Sequence, residues 1–352
     1  MIPIDLISKI EMVAPGTLLR RALNDILKAE FGALIVFLDD IKEQEKILEG
    51  GFYIGAVFSP EKLYELSKMD GAIILDENVS RILAANVQLT LDPTIPTHET
   101  GMRHRAAERM ARQTGKFVIT ISRRRGVITL YYKDHKYQLN SINYLITRIN
   151  QTISTIEQYK EKLDKMVTRI DEAEIEDRMQ LSEVTQLINK AIEIMNLLDE
   201  ITPYVIEIGS EGRLASMRVH AISVDVSMLL DLLIMDYALQ QHSNREAQNL
   251  IETMKTIKFI DDVKIANLLD RNVSSESDIY DIPVRPRGYR LLQNVAQIPT
   301  STIRNVIRRF KDLVSLCQAD ADQLMEVEGV GEKRAKAIIE GIRLIRKRSA
   351  YS

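Results

Sequence analysis

The sequence predicts an α/β domain with a mixed sheet flanked by helices, followed by an all-α spine and a small all-α domain. Three observations support this prediction. Over residues 1–140, short apolar runs alternate with helical periodicity, which is typical of a buried sheet covered by helices. From residue 141, glycine and proline nearly vanish until Pro203 and apolar residues recur at helical spacing. Residues 286–352 hold 13 Lys and Arg against 7 Asp and Glu, a difference of +6 in a chain whose total is −3. We therefore predict domains at residues 1–140, 141–285 and 286–352.

Apolar runs and turn residues predict the elements of the first domain. Helical spacing predicts a helix over residues 17–30, and a proline at the first position predicts another over 60–68. A third helix is expected from about Gly101 to Gln113, ended by Gly115. Continuous apolar runs predict buried strands. These strands are Gly32–Leu38, Phe52–Phe58, Ala72–Leu75, Val87–Leu91, Phe117–Ile121 and Val127–Tyr132.

The middle of the chain predicts a spine of helices. Apolar residues step by three and four from Ile142 to Ile170, which indicates a long amphipathic helix. A helix packed in a bundle is favoured over a free coiled coil because this row of apolar residues is short. A second helix follows over Leu181–Leu198, and Pro203 is expected to break it. Further helices are expected around 224–239, 245–257 and 264–269, before a linker at 274–286.

Composition excludes several classes of protein. The chain has no Trp and only 5% aromatic residues, which argues against large aromatic stacking platforms. A total charge of −3 excludes a uniformly basic nucleic-acid coat. The single Cys317 excludes an intramolecular disulfide framework and a cysteine-based zinc cluster. The first residues lack a signal-peptide pattern, and no apolar run approaches the roughly 20 residues that span a bilayer. We expect a soluble cytoplasmic protein with no membrane partner.

The stretch from Thr94 to Arg109 predicts an anion site. It runs from a proline-broken turn through Gly101 into a helix whose first turn carries Arg103, His104 and Arg105. Helix amides and guanidinium groups together bind phosphate well. A solvated basic turn is the alternative, but the helix dipole disfavours arginine there unless an anion is bound.

Two other clusters point to the same chemistry. Asp70 beside Gly71 opens a predicted strand, where a carboxylate can hold a divalent metal and a glycine allows close approach. An Asp-Gly pair more commonly forms an ordinary turn. The turn from Ser122 to Gly126 contains three arginines, whose repulsion a polyanion would relieve. Together the clusters predict a nucleoside triphosphate with Mg²⁺ or Mn²⁺, although no Walker, Rossmann or kinase motif is present.

The C-terminal domain contains a glycine hairpin between two helices, which resembles the helix-hairpin-helix motif of DNA repair proteins. Glycines let backbone N–H groups approach a phosphate at a helix N-terminus, and such contacts hold DNA without reading sequence. An ordinary helical hairpin with a glycine cap is the alternative. Residues 295–310 resemble a degenerate first copy. The predicted DNA-binding residues are Gly329, Gly331, Lys333, Arg334 and Lys336.

Several N-terminal segments resemble the motifs of diadenylate cyclases. Met69–Ile73 is similar to the family's DGA motif and Glu99–Arg109 to its RHR motif, with Asp92–Thr97 matching between them. With the spine and the hairpin, the resemblance extends over the whole chain. It implies the condensation of two ATP into cyclic di-AMP with loss of two pyrophosphates, with Mg²⁺ or Mn²⁺ as cofactor. It also implies a homo-octamer of two tetramers with active sites at cyclase-domain interfaces. Branched DNA or Holliday junctions would bind the tail and inhibit synthesis.

The resemblance also implies roles for individual residues. Asp70 would bind metal and activate a hydroxyl, while Gly71 and the Leu89 backbone would contact the nucleoside. Arg103, Ser122 and Arg125 would hold phosphates. His104 would organise its neighbours, or simply pack in the core. By the resemblance the catalytic residues are Asp70, Arg103, His104 and Arg105, and the nucleotide-binding residues are Gly71, Leu89, Met102, Arg103, Ala106, Ser122, Arg123 and Arg125.

The chain departs from the family at two positions of the RHR helix. Met102 and Ala106 stand where diadenylate cyclases usually have threonines, which would help to hold phosphate. Together with Met110 they step by four, which predicts an apolar core face. Each lost hydrogen bond to a charged group would cost about 1.5–3 kcal/mol. The alternative to a competent cyclase is therefore a DNA-binding scaffold with weak or lost activity. A repair nuclease is disfavoured, because no acidic cluster suits two metals.

Overall fold

A computed structural model describes residues 4–295 and 298–349 and shows an eight-stranded mixed sheet in the first part of the chain. The strand order is β2-β5-β4-β1-β6-β7-β8, and β3 also pairs with β5. Strands β1 and β4 run parallel, and the other pairs among the described strands are antiparallel. The strands are β1 (Ala33–Leu38), β2 (Leu48–Glu49), β3 (Phe52–Val57), β4 (Ala72–Asp76), β5 (Arg81–Leu89), β6 (Phe117–Ser122), β7 (Val127–Tyr132) and β8 (His135–Gln138).

Helices cover both faces of the central strands. All six residues of β1 are buried, because its side chains alternate between two apolar clusters. One cluster includes residues of the first two helices, and the other includes Ala107, Met110 and Ala111 of the fourth. The helices of this domain are α1 (Ile4–Met12), α2 (Leu18–Lys28), α3 (Pro60–Leu66) and α4 (Met102–Thr114).

Local signals set the ends of these helices. The Thr17 side chain accepts a hydrogen bond from the Arg20 amide and caps α2. Pro60 occupies the first turn of α3. Helix α4 begins after Gly101 and ends at Gly115, whose φ of 68° is left-handed. The predicted α/β fold is thus confirmed, although α1 and the short strands β2 and β8 were not predicted.

Two predicted strands differ from the observed ones. The run Phe52–Phe58 forms β3, but the prediction that it is buried is wrong, since Tyr53 is 75% exposed. This strand pairs only with β5 among the described strands, so one edge has no partner in the sheet. The strand predicted at Val87–Leu91 instead runs over Arg81–Leu89, because pairing with β3 and β4 extends it toward its start.

The rest of the described chain is helical. The described chain divides into two compact units, one formed by residues 4–150 with 201–216 and the other by residues 151–200 with 217–295 and 298–349. The three-domain division stays a prediction. These helices are α5 (Ile142–Ile175), α6 (Leu181–Ile208), α7 (Arg213–Tyr237), α8 (Asn244–Thr256), α9 (Asp262–Leu268), α10 (Glu276–Tyr280), α11 (Tyr289–Val295), α12 (Thr300–Phe310), α13 (Leu313–Gln318), α14 (Ala321–Met325) and α15 (Glu332–Ser349).

The predicted break at Pro203 is wrong, since α6 continues through it to Ile208. A helix-interior proline costs about 3 kcal/mol. Ile201, Val205 and Ile208 are all buried, so packing outweighs that cost. The helix expected around Val224 begins earlier, at Arg213, and most residues of its first turns are exposed. The predicted linker contains the short helix α10, started by a capping box at Ser275.

A buried ionic cluster lies at the start of the C-terminal helices. Arg290 is 3% exposed, and its guanidinium pairs with Asp171 and, at 2.6 Å, with the Glu174 carboxylate. Nearby, the Asp236 carboxylate accepts the backbone N–H groups of residues 288–290. Burial raises the pKa of Asp236 to about 6. These contacts join the start of the tail to helices α5 and α7.

Within residues 4–295 and 298–349, no helix combines the length and apolarity that a membrane crossing needs.

Candidate functional site

The loop before α4 is held against that helix by polar side chains of the helix itself. Arg109 donates from Nε to the Ile95 carbonyl and from Nη2 to the Pro93 carbonyl, both at 3.1 Å. The Glu108 carboxylate accepts from the Thr97 hydroxyl and the His98 amide. The arginine near the end of the RHR motif therefore positions the loop. It does not contribute to the cluster around Asp70.

Gly71 brings strand β4 close to β5 and leaves Asp70 at the exposed edge of the sheet, which we call the rim. Its φ is +85°, and a Cβ there would lie 2.8 Å from the Val87 carbonyl oxygen. Only glycine meets both constraints without strain. The Asp70 side chain is fully exposed, and Leu89 is the last residue of the adjacent β5. The prediction that Asp70 precedes a buried strand is confirmed, since the first four residues of β4 are buried.

Asp70 meets the first turn of α4. Its Oδ1 lies 3.6 Å from the Arg103 Nη2, and the Arg103 side chain is 44% exposed. The guanidinium also lies over Gly32, where a Cβ would be 2.6 Å from Nη1. Gly101, the N-cap of α4, offers no side-chain hydrogen bond to the first amides of the helix. A carboxylate, a guanidinium and a helix N-terminus therefore face solvent together.

The arginine turn extends this surface. The Gly126 amide closes the turn onto the Ser122 carbonyl at 2.9 Å, and the Ser122 hydroxyl accepts from the Arg125 amide. The Arg125 Nη2 reaches 3.5 Å from the Thr100 hydroxyl, directly before Gly101. A Cβ at Gly32 would lie 3.3 Å from the Ile121 carbonyl, which precedes Ser122. The turn thus lies beside the start of α4.

His104 lies in a buried hydrogen-bonded chain. Its Nδ1 is 2.9 Å from both the Tyr131 hydroxyl and the Thr120 hydroxyl. Tyr131 donates to the Glu99 carboxylate at 2.9 Å, and Lys136 forms an ion pair with the same carboxylate. Burial lowers the pKa of His104. Burial alone would raise the pKa of Glu99, but the hydrogen bonds from Lys136 and Tyr131 hold it below its ordinary value.

The predicted apolar face of α4 is wrong at its first position. Met110 is fully buried, whereas Met102 is 81% exposed and Ala106 is partly buried. Met102 is the first residue of α4, so no preceding helical turn covers it. An apolar side chain therefore projects at the mouth of the site. A threonine there would offer a hydroxyl instead.

The structure does not bring all predicted site residues together. Arg105 and Arg123 are exposed, and no contact within the described ranges joins either to Asp70. Contributors that were not predicted include Gly32, Thr120 and Tyr131. Thr120 and Tyr131 were assigned only to apolar strands, and only the fold shows that both meet His104.

Potential metal ligands are sparse. In the part of the chain that the structure describes, no group of three or more His, Cys, Asp or Glu side chains could hold a metal ion. Asp70 stands alone as an exposed carboxylate beside the start of α4. Magnesium is commonly held by one or two carboxylates together with substrate phosphates. Asp70 therefore fits a metal that arrives with a nucleotide.

The C-terminal hairpin has the expected form. Val327 precedes a turn in which Gly329 has a φ of +89°, and α15 begins at Glu332. The Arg334 guanidinium donates to the Gly329 carbonyl at 2.6 Å, and Lys336 pairs with Glu332. Arg334 therefore stabilises the turn. Ala296 and Gln297, in the predicted first copy, lie outside the described residues.

Comparison with known proteins matches the chain from near its start to near its end. Residues 20–136 match the DisA bacterial checkpoint controller nucleotide-binding family, and 139–277 match the DisA linker region. Residues 289–344 match a SAM-like helix-hairpin-helix tandem. The chain is 47% identical to the DNA integrity scanning protein DisA of Thermotoga maritima, over 99% of this chain and 98% of that protein. Identity to the DisA of Bacillus subtilis is 40%, over 98% and 95% of the two chains.

Proposed function

Because the chain belongs to the DisA family of bacterial checkpoint controllers, we propose that it is a diadenylate cyclase that makes cyclic di-AMP from ATP. The observation that supports this most is the meeting of Asp70 with Arg103 at the open N-terminus of α4. A nucleotide-binding domain with this rim offers an acidic group, a cation and free amides to one triphosphate.

In the proposed reaction, two ATP molecules are joined by two reciprocal nucleotidyl transfers. The 3′-hydroxyl oxygen of each attacks the α-phosphorus of the other and gives up its proton to a base, which we propose is the Asp70 carboxylate. The bond between each α-phosphorus and its β-phosphate oxygen breaks, and two pyrophosphates leave. Negative charge develops on the phosphoryl oxygens, where the guanidinium groups of Arg103 and Arg125 and the first amides of α4 would neutralise it. Catalysis would otherwise be positioning of the two nucleotides.

Two sites must face each other, because each ATP supplies both a nucleophile and a leaving group. One protomer offers one such rim, formed by Asp70, Arg103 and the Ser122–Gly126 turn. We therefore propose that cyclase domains pair, within a homo-octamer of two tetramers. Mg²⁺ or Mn²⁺ would be held by Asp70 and the triphosphate, and would supply charge neutralisation at the phosphates.

Incubation of the full-length protein with ATP and Mn²⁺ tests the proposal. Wild type should form cyclic di-AMP and pyrophosphate, and Asp70→Asn should form none. Asp134→Asn is a matched control, because Asp134 is also exposed and lies 3.6 Å from an arginine, Arg112. Absence of cyclic di-AMP from wild type, or full activity in Asp70→Asn, would rule out the cyclase.

The helix-hairpin-helix domain supports DNA as a second partner. We propose that branched DNA or Holliday junctions bind it and inhibit cyclisation, in the bacterial cytoplasm. Deletion of residues 286–352 is a poor test, because it would leave the buried Glu174 carboxylate without Arg290. Lys333→Gln within the full chain is cleaner. It should weaken junction binding and relieve inhibition without changing the rate in the absence of DNA.

A scaffold with weak or lost cyclase activity is the second candidate, and Met102 favours it. Its exposed side chain lies where a threonine would offer a phosphate a hydroxyl. Met102→Thr combined with Ala106→Thr should raise the cyclase rate if the loss matters. An unchanged rate would show that other residues compensate, and no detectable product from either protein would favour the scaffold.

A further inference from the structure

The buried chain that ends at His104 has a defined direction of hydrogen bonding. Glu99 is 9% exposed, and Lys136 forms an ion pair with its carboxylate. An ionised carboxylate can only accept hydrogen bonds. Tyr131, which is 1% exposed and 2.9 Å away, must therefore donate its single hydroxyl proton to Glu99.

That direction fixes the tautomer of His104. The Tyr131 oxygen lies 2.9 Å from the His104 Nδ1 and, with its proton already committed, can only accept from it. The Thr120 hydroxyl, also 2.9 Å from Nδ1, can accept from it too, because its own proton can be donated to the Tyr131 oxygen. This chain of hydrogen bonds therefore favours the proton on Nδ1. In the neutral ring the other nitrogen, Nε2, then has a free lone pair.

The charged groups around the ring favour the neutral form on balance. Burial lowers the pKa of His104, the charge on Glu99 opposes this, and the charges on Arg125 and Lys136 reinforce it. The ring atom Cδ2, which is bonded to Nε2, lies beside the N-cap of α4, since a Cβ on Gly101 would lie 3.4 Å from Cδ2. Nε2 has no hydrogen-bond partner among the described residues.

We propose that Glu99 and Tyr131 are positioning residues that keep the His104 proton on Nδ1 and make Nε2 a hydrogen-bond acceptor at the nucleotide site. The proposal rests on the proposed function of that site. A lone pair repels phosphate oxygens, so the anion would bind the arginines and amides. His104 would instead accept from a hydroxyl donor of the nucleotide, which in ATP is a ribose hydroxyl. His104 would thus bind a hydroxyl of the nucleotide, whereas the arginines would bind its phosphates.

The tautomer can be measured without any assay of activity. Full-length protein labelled with ¹⁵N-histidine is sedimented and observed by magic-angle-spinning NMR, and the His104 signals are assigned by their loss in His104→Gln. Wild type should show the proton on Nδ1. In Glu99→Gln the amide can donate to Tyr131, so the Nδ1-protonated share should fall. A wild-type proton on Nε2, or an unchanged tautomer in Glu99→Gln, would overturn the proposal.

Kinetics give a second readout that a merely structural role would not move. A side chain positioned for proton transfer typically contributes about 10²-fold to the rate. We therefore expect Glu99→Gln to lower kcat by about 10²-fold, with little change in KM. Removing the Glu99 charge should also move the acid limb of the pH–rate profile to lower pH. Tyr131→Phe should lower kcat too, and guards against a folding defect peculiar to Glu99→Gln.

Tyr132→Phe is the matched control, because Tyr132 is the next residue of β7 and contacts Lys9 and Lys133 instead. It should retain the wild-type rate and pH profile. Equal kcat losses in Tyr131→Phe and Tyr132→Phe, with unshifted profiles, would refute the positioning role. A protein that shows the expected tautomer but makes no cyclic di-AMP would refute the cyclase and leave this arrangement standing.

Discussion

Gly32 is the residue whose substitution tests the proposed nucleotide site most selectively. A Cβ there would lie 2.6 Å from the Arg103 Nη1, which is closer than real contacts allow. The next contact, 3.3 Å from the Ile121 carbonyl, is tight. Because the clash is with the far end of a flexible side chain, Gly32→Ala should displace the guanidinium and leave the fold intact.

The expected magnitudes separate stability from binding. Gly32 has no positive φ, so Gly32→Ala should stabilise slightly or not at all, by at most about 1 kcal/mol through the unfolded state. The exposed Asp70–Arg103 ion pair that it disturbs is worth less than about 1 kcal/mol. A charged hydrogen bond from Arg103 to phosphate is worth about 1.5–3 kcal/mol. ATP affinity should therefore fall about 10- to 100-fold.

Thermal unfolding and calorimetric titration with a non-hydrolysable ATP analogue provide the two measurements. A double-mutant cycle with Arg103→Ala supplies the control, because an effect that acts through Arg103 must vanish once that side chain is gone. Wild-type affinity in Gly32→Ala would refute the reasoning. So would an equal loss of affinity when Gly32→Ala is added to Arg103→Ala.

Three further predictions follow from buried and charged groups. Arg290→Met should destabilise the fold by about 3–5 kcal/mol in urea unfolding, because it leaves the 2%-exposed Glu174 uncompensated; adding Glu174→Leu should restore most of the loss, and equal instability of both proteins would contradict this. Lys333→Gln should weaken binding of all DNA sequences alike and reduce the salt slope by about 1, whereas a sequence-dependent change would argue against phosphate contact. Because burial holds the pKa of His104 below 6.5, the unfolded chain takes up a proton before the folded one, so stability falls as pH drops below that value. His104→Gln should lose less stability than wild type between neutral and mildly acidic pH, and identical losses would exclude His104 as a source.

The strongest local patterns of the sequence determined most of the fold. The run of six apolar residues in β1 and the glycine that ends α4 predict those elements without tertiary information. The helix break predicted at Pro203 is wrong because a local cost of about 3 kcal/mol is outweighed by the packing of Val205 and Ile208, which the sequence pattern does not show. The prediction that β3 is buried is also wrong, because an edge strand can be apolar and exposed.

The sequence also predicts the chemical character of the site, since a basic helix start and an arginine turn indicate phosphate and an Asp-Gly pair at a strand edge indicates a divalent metal. Which of these groups meet depends on strand order, and no local pattern encodes it. Gly32 lies beside the Ile121 carbonyl because β1 is adjacent to β6, and it lies beside Arg103 because α4 packs on β1. His104 contacts Tyr131, and Tyr131 contacts Glu99, because helix, strand and loop converge there. Only that convergence creates the hydrogen-bond chain on which the proposed tautomer of the ring depends.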